Sequence, residues 1–181
     1  MEDWMPMCQQ ALAGGWSAER VPAPGQEFED RERFLASCRE NSCGRYGTSW
    51  SCPPGWTEGI SSLSSKYPNA ILLEKTFQAD PYDPKAVESA SDEAHRAVRS
   101  VTAAMRDAGI PCIGLSDGAC GYCGVCSYPD ECRYPAQLTP SISATGLDIG
   151  RFLESLGKGF SFSDSSFTLY CLVLFGDARN A

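Results

Sequence analysis

The sequence predicts an α/β domain, a small mixed or parallel sheet with packed helices and two cysteine-rich loops. Three observations lead there. From Pro84 to Ala108 apolar residues recur at helical spacing, whereas "NAILLEKTF", "IPCIGL" and "SFTLYCLVLF" are β-prone or continuously apolar. In chain order the segments alternate as strand, long helix, strand, loop, helix, strand, the pattern that packs helices onto a sheet. Seven of the ten cysteines fall in two short stretches outside these elements.

Residues 1 to 26, punctuated by Gly14, Gly15, Pro22, Pro24 and Gly25, read as a loosely ordered lead-in, and residues 27 to 181 as a single α/β domain. A short helix from about Glu27 to Cys38 places Phe28, Phe34, Leu35 and Cys38 on one stripe, and its last turn delivers Cys38 to the first cysteine loop. After Cys52 the Pro53-Pro54-Gly55 run forces a turn, and Thr57 caps a weak helix through Ile60, Leu63 and Tyr67. "NAILLEKTF" is a core strand. In the long helix Asp83 is the N-cap and Pro84 suits the first position; Val87, Ala90, Ala94, Val98, Val101, Met105 and Ala108 form the inner face, and Gly109 and Pro111 end it. Its alanines allow close approach to a sheet. "IPCIGL" is a buried strand running into the second cysteine loop. "ATGLDIGRFLESLGK" is a helix with Leu147, Phe152, Leu153 and Leu156 on one face, weakened by Gly150. The apolar run 166–175 is a strand covered on both sides.

A chain of 181 residues can bury an adequate core without covalent staples, so the cysteines are not there to rescue a small one. No apolar run reaches membrane-spanning length, which argues against a membrane partner. A net charge of −8 without a basic cluster argues against nucleic acid. "MEDWMPMCQQALAGG" carries acids where a secretory signal carries basic residues, which points to the cytoplasm. In a reducing compartment dense cysteines read as metal-binding or redox residues before disulfides.

Cys120, Cys123, Cys126 and Cys132 are spaced C-x2-C-x2-C-x5-C, with Pro135 shortly after. Three thiols at intervals of three wrap one side of a polynuclear core, and the longer last gap reaches the remaining corner. This is close to the bacterial ferredoxin run C-x2-C-x2-C-x3-C-P, which holds [4Fe-4S] clusters. Gly121 and Gly124 permit tight turns that aim backbone N–H groups at sulfur. Structural zinc is the rival, although it usually takes two separated C-x2-C knuckles, which here overlap at Cys123. Disulfides or bare thiols are the remaining alternative.

Cys38, Cys43 and Cys52 are spaced C-x4-C-x8-C and followed by two prolines. They are candidates for three ligands of a second centre, with Tyr46 and Trp50 shielding it; the plain alternative is a core cysteine at a helix end beside two incidental ones. Of the remaining cysteines, Cys112 and Cys171 fall in core strands, and Cys8 lies in the lead-in, from where it could fold over as a fourth ligand. Without a fourth ligand, one coordination position stays open to a substrate.

Together "C-x-x-Y-G-x-x-W-x-C-P-P", ending at Pro54, and "D-G-A-C-G-Y-C-x-x-C…C-R-x-P…P-S…G-L-D", from Asp117 to Asp148, resemble the uncharacterised proteins grouped as domain of unknown function 2284 and described as predicted metal-binding proteins. The resemblance runs from about residue 30 to the end. It implies that both cysteine groups are ligands and carries no reaction or substrate. Members more often have methionine where this chain has Ile142.

His95, the sole histidine, lies between polar neighbours on the long helix and reads as a surface residue, so a Ser-His-Asp arrangement or a histidine-carboxylate metal site is hard to build. Arg39, Arg45 and Arg133, like Asp117, Asp130 and Glu131, sit beside ligand candidates and are placed either to tune a site or simply to be solvated. The expectation is a cysteine-ligated metal-binding protein holding [4Fe-4S], with two centres, serving electron transfer or a redox partner enzyme. Its rivals are a structural zinc interaction module and an enzyme using an open position on the three-cysteine centre.

Overall fold

The computed structural model describes residues 4–177. Residues 1–3 and 178–181, the outer ends of the expected lead-in and domain, lie outside that range. The chain runs α1 (Met5–Ala11), β1 (Ser17–Pro22), α2 (Arg31–Arg39), α3 (Ile60–Lys66), β2 (Asn69–Phe77), α4 (Pro84–Asp107), β3 (Cys112–Leu115), α5 (Ile149–Ser155), β4 (Phe162–Ser163) and β5 (Ser166–Phe175). Among the described residues no helix is long and apolar enough to cross a membrane.

The strands form one sheet in the order β1-β2-β5-β3, with β4 paired to the start of β5. Every pair of neighbouring strands is antiparallel, which corrects the expected mixed or parallel sheet. The strand-helix-strand unit β2-α4-β3 does set two strands in the same direction. The C-terminal strand β5 then inserts between them, running the opposite way and pairing with both. Strand-helix-strand order fixes the relative direction of its two strands but not whether they are neighbours, and here the last strand takes the central place.

β5 is central because both its faces are covered. Cys171, Val173 and Phe175 join Ile71 and Leu73 of β2 beneath α1 and α4. Tyr170, Leu172 and Leu174 join Ala70 and Leu72 on the other side, where Ile60 and Leu63 of α3 and Phe152 and Leu153 of α5 pack. The two-residue alternation of a strand sends successive side chains to opposite cores, so a doubly covered strand reads as unbroken apolar sequence.

The segment expected as a loose lead-in carries α1 and the edge strand β1, paired with β2 from Ser17↔Glu74 to Pro22↔Asn69. Only Val21 of β1 is buried, so the strand has no apolar alternation to betray it; the ladder, not side-chain burial, holds it. Trp16, just before β1, donates its indole N–H to Glu93 Oε1 of α4 at 3.0 Å, and Lys75 Nζ meets the same oxygen at 2.5 Å.

α4 matches its reading closely. The Asp83 side chain accepts from the Lys85 N–H, and Ala90, Ala94, Ala97, Val98, Val101 and Met105 are buried on one face. The helix comes so near the sheet that a Cβ on Gly114 of β3 would stand 2.1 Å from Val98 Cγ1 and 3.1 Å from Thr102 Cγ2. Valine is stiff at χ1, so Val98 has little room to give way. Gly114→Ala is expected to lower unfolding stability by about 1–3 kcal/mol through overpacking, read as a lower urea midpoint at unchanged slope.

Candidate metal centre

Between β3 and α5 the chain makes a long excursion whose two ends are tied together. Ser116 N–H donates to Pro140 O at 3.1 Å and Ile142 N–H to Ser116 O at 3.0 Å, forming a small parallel bridge at the base. Everything from Asp117 to Thr139 hangs from this clasp. Within it Gly124, at φ +70°, closes a tight turn in which its N–H donates to Gly121 O at 3.1 Å and the Val125 N–H to Cys123 O at 2.9 Å. A left-handed backbone of this kind favours glycine. Arg133 Nη2 donates to Val125 O and Ser127 Oγ to Glu131 O, folding the tip back on itself.

These turns bring the four predicted thiols to one place. Cys120, Cys123, Cys126 and Cys132 line one small pocket, with Tyr122, Tyr134 and Leu138 as its apolar part. Tyr122 and Tyr134 meet edge to face at 5.2 Å between ring centroids. Among the described residues no group of three or more Cys, His, Asp or Glu side chains is arranged to hold a metal ion. Burial would raise the Cys126 thiol. The backbone N–H groups of Trp50, Tyr128 and Ser127 and the Ser49 hydroxyl outweigh it and hold the pKa below its ordinary value.

The other cysteine loop supplies part of this wall. Ser49 lines the same cavity, Ser51 Oγ accepts the Cys120 N–H at 2.8 Å, and Trp50 Nε1 donates to Asp130 O at 2.8 Å. Trp50 also packs edge to face on Tyr128 at 5.0 Å. Ser51 O receives the Ser141 N–H at 3.0 Å, so one short strip, residues 49–51, is stitched to both the tip and the base of the long excursion.

Cys38, Cys43 and Cys52 are electrostatic neighbours in the structure. Cys38 ends α2 in its last turn; a turn through Asn41, at φ +54°, leads to the exposed Cys43, and Cys52 is buried. Burial, and then the neighbouring Cys43, raise the Cys38 thiol. Cys52 is pushed up to about 11, first by burial, with Cys43 and Cys38 adding to it and the Ser51 hydroxyl and Arg45 opposing. Arg45 thus faces the thiol group as its position suggested, while Arg133 is engaged by a backbone carbonyl. Cys8 does not fold over as a fourth ligand. It is buried in the core between β5 and α4 with Cys112 and Cys171, where Cys171 is pushed up to about 12 by desolvation. All ten cysteines are free thiols.

His95 corrects the surface reading: it is 2% exposed, beneath the four-cysteine loop. Neither ring nitrogen, nor Nη1 of Arg99, makes a hydrogen bond of good geometry. Burial and then the Arg99 charge press the His95 pKa down to about 4, against the carbonyls of Asp117 and Ala119 and the Asp92 charge. Arg99, one turn on, lies 5.3 Å from the Tyr122 ring centroid, and Ser91, one turn back, donates to Asp117 O at 3.3 Å. Ser91, His95 and Arg99 therefore form a polar stripe at four-residue spacing that floors the loop. The helical periodicity that gives α4 its apolar face also holds this second stripe, whose members look in sequence like ordinary surface residues. Ser49 and Ser51 had no comparable signal.

A histidine held neutral in the folded chain protonates first in the unfolded one, so folding stability should fall as pH drops from about 6.5 toward about 4. The loss is on the order of 3 kcal/mol. Urea melts between pH 7 and 4.5 should show this slope in the native chain and a flatter profile in His95→Leu at equal metal content.

The family model described as "Predicted metal-binding protein (DUF2284)" matches residues 24–175. No curated protein and no solved structure matches the chain.

Proposed function

The chain belongs to the family of predicted metal-binding proteins whose model spans residues 24–175, and on that premise we propose that it is an iron-sulfur protein serving one-electron transfer. Cys120, Cys123, Cys126 and Cys132 would hold a [4Fe-4S] cluster; Cys38, Cys43 and Cys52 would hold a second centre. The observation that carries the reading is the cavity walled by four thiols. The C-x2-C-x2-C-x5-C spacing favours a cubane, which takes one thiolate at each corner, over zinc, which usually takes two separated C-x2-C knuckles.

The donor set fits the group in a second way. Three backbone N–H groups and a hydroxyl face Cys126, and hydrogen bonds to sulfur are among the levers that set cluster potentials. When bound, such a cluster supplies reversible one-electron chemistry. The chain's own part is to anchor it through four thiolates, to flank it with Tyr122, Tyr134 and Leu138, and to offset negative charge with the N–H groups around Cys126 and with Arg99. The loop tip presents Val125 at 81% exposed and Tyr122 at 44%, an apolar rim suited to transient contact with a redox partner. At the three-cysteine group, the exposed Cys43 sets the centre near solvent, the feature that an enzymatic role at an open coordination position would use.

Anaerobically purified protein should be brown, contain iron and acid-labile sulfide in equal amounts, and bleach on reduction. Cys126→Ser should remove one cluster's share of both and lower the melting temperature, because ligand loss is also loss of folding energy. Colourless protein containing zinc and no sulfide would establish the structural zinc module instead.

A further inference from the structure

Away from both cysteine loops, an open cleft of about 370 Å³ lies between α4, β2 and the turn that joins α1 to β1. Its volume is that of a small-molecule site. Lys75 enters it from β2, and Glu93, Arg96 and Ser100 line it from α4 at the three- and four-residue spacings that share a helix face. Trp16 and Ala97 supply apolar wall. No cysteine or histidine borders it.

The charges in the cleft are unequally committed. Glu93 Oε1 accepts from the Trp16 indole at 3.0 Å and from Lys75 Nζ at 2.5 Å, and the backbone turn presses so close that a Cβ on Gly14 would stand 2.9 Å from the same oxygen. Lys75, with its side chain 18% exposed, therefore balances Glu93. Arg96 is different. It is exposed, its charge acts on Glu93, yet among the described residues it makes no ion pair or hydrogen bond, and neither does the Ser100 hydroxyl. Two cations and one carboxylate leave the cleft with a single positive charge, on a chain whose net charge is −8.

We propose that this cleft is a binding site for a small organic monocarboxylate with an apolar body. The planar guanidinium of Arg96 offers the paired donors that a carboxylate accepts, and Ser100 adds a hydroxyl. Trp16 and Ala97 receive the apolar part. One uncompensated positive charge matches one negative charge, and the field of an acidic chain works against a ligand that carries more. The role is binding, not bond chemistry: Glu93 is engaged by two donors, and no base stands beside Ser100. Gly14 and Trp16 precede the residues that the family model matches, so the site depends on a segment beyond that match, and it stands apart from the metal reading.

The test is isothermal titration calorimetry of the full chain with 3-phenylpropionate. Saturable binding that weakens with added salt is expected. Its alcohol, 3-phenylpropanol, has the same body without the charge and should bind about tenfold more weakly. Phenyl phosphate, with a second negative charge, should bind no better than the acid. Arg96→Gln should lower the affinity for 3-phenylpropionate about tenfold at an unchanged urea midpoint, since the side chain is exposed and has no hydrogen-bond partner among the described residues to lose. Arg96→Lys keeps the charge without the fork and should fall between the two. No uptake of the acid, equal binding of acid and alcohol, or native affinity in Arg96→Gln overturns the site. Tighter binding of phenyl phosphate overturns the monocarboxylate assignment.

Discussion

The hydrogen bond from the Cys120 N–H to Ser51 Oγ is the contact on which the arrangement of the site depends. It joins segments nearly seventy residues apart in sequence, at a point where both are irregular and have no ladder to hold them. Around it the Trp50 indole and the Ser51 carbonyl add two further ties, one to the tip and one to the base of the long excursion. Loops without regular structure owe the polymer entropy of their residues to such cross-links, and buried hydroxyls suit the task because one oxygen both gives and accepts. The strip is short, yet Ser49 borders the four-cysteine pocket and Ser51 lies against both Cys120 and Cys52.

Sulfur chemistry in this chain is sorted by environment. Cys8, Cys112 and Cys171 lie in the α4-side core, and the two in strands have thiols raised mainly by burial, so they behave as small hydrophobes. Cys126 lies at the other extreme, its charged form favoured by N–H groups and a hydroxyl. Cys52 is intermediate in setting, buried yet supported by Ser51 and Arg45. Metal ligation requires the deprotonated sulfur. The surroundings of Cys126 therefore favour its deprotonated sulfur, while burial disfavours that of Cys52.

Much of the scaffold could be read from local pattern. Asp83 and Pro84 open α4 where its caps place it, β2 and β5 have the limits of their apolar runs, and the four thiols of the second loop do share one cavity. The sheet's strand directions could not be read, because the sequence holds no local record of β5 inserting between β2 and β3. β1 escaped because an edge strand that buries only Val21 has neither alternation nor an apolar run. His95 was misplaced because its polar sequence neighbours lie on other sides of the helix, and only tertiary structure shows that a loop folds down over it. Ser49 and Ser51 acquire meaning solely through contacts with residues far along the chain.

α4 shows one apolar face to the sheet and, along Ser91, His95 and Arg99, a polar one to the excursion that begins at Ser116. The cysteine loop is consequently no portable cassette. Transplanted to another scaffold it would arrive without its floor, without the Ser49–Ser51 wall, and without the clasp partner that closes its base.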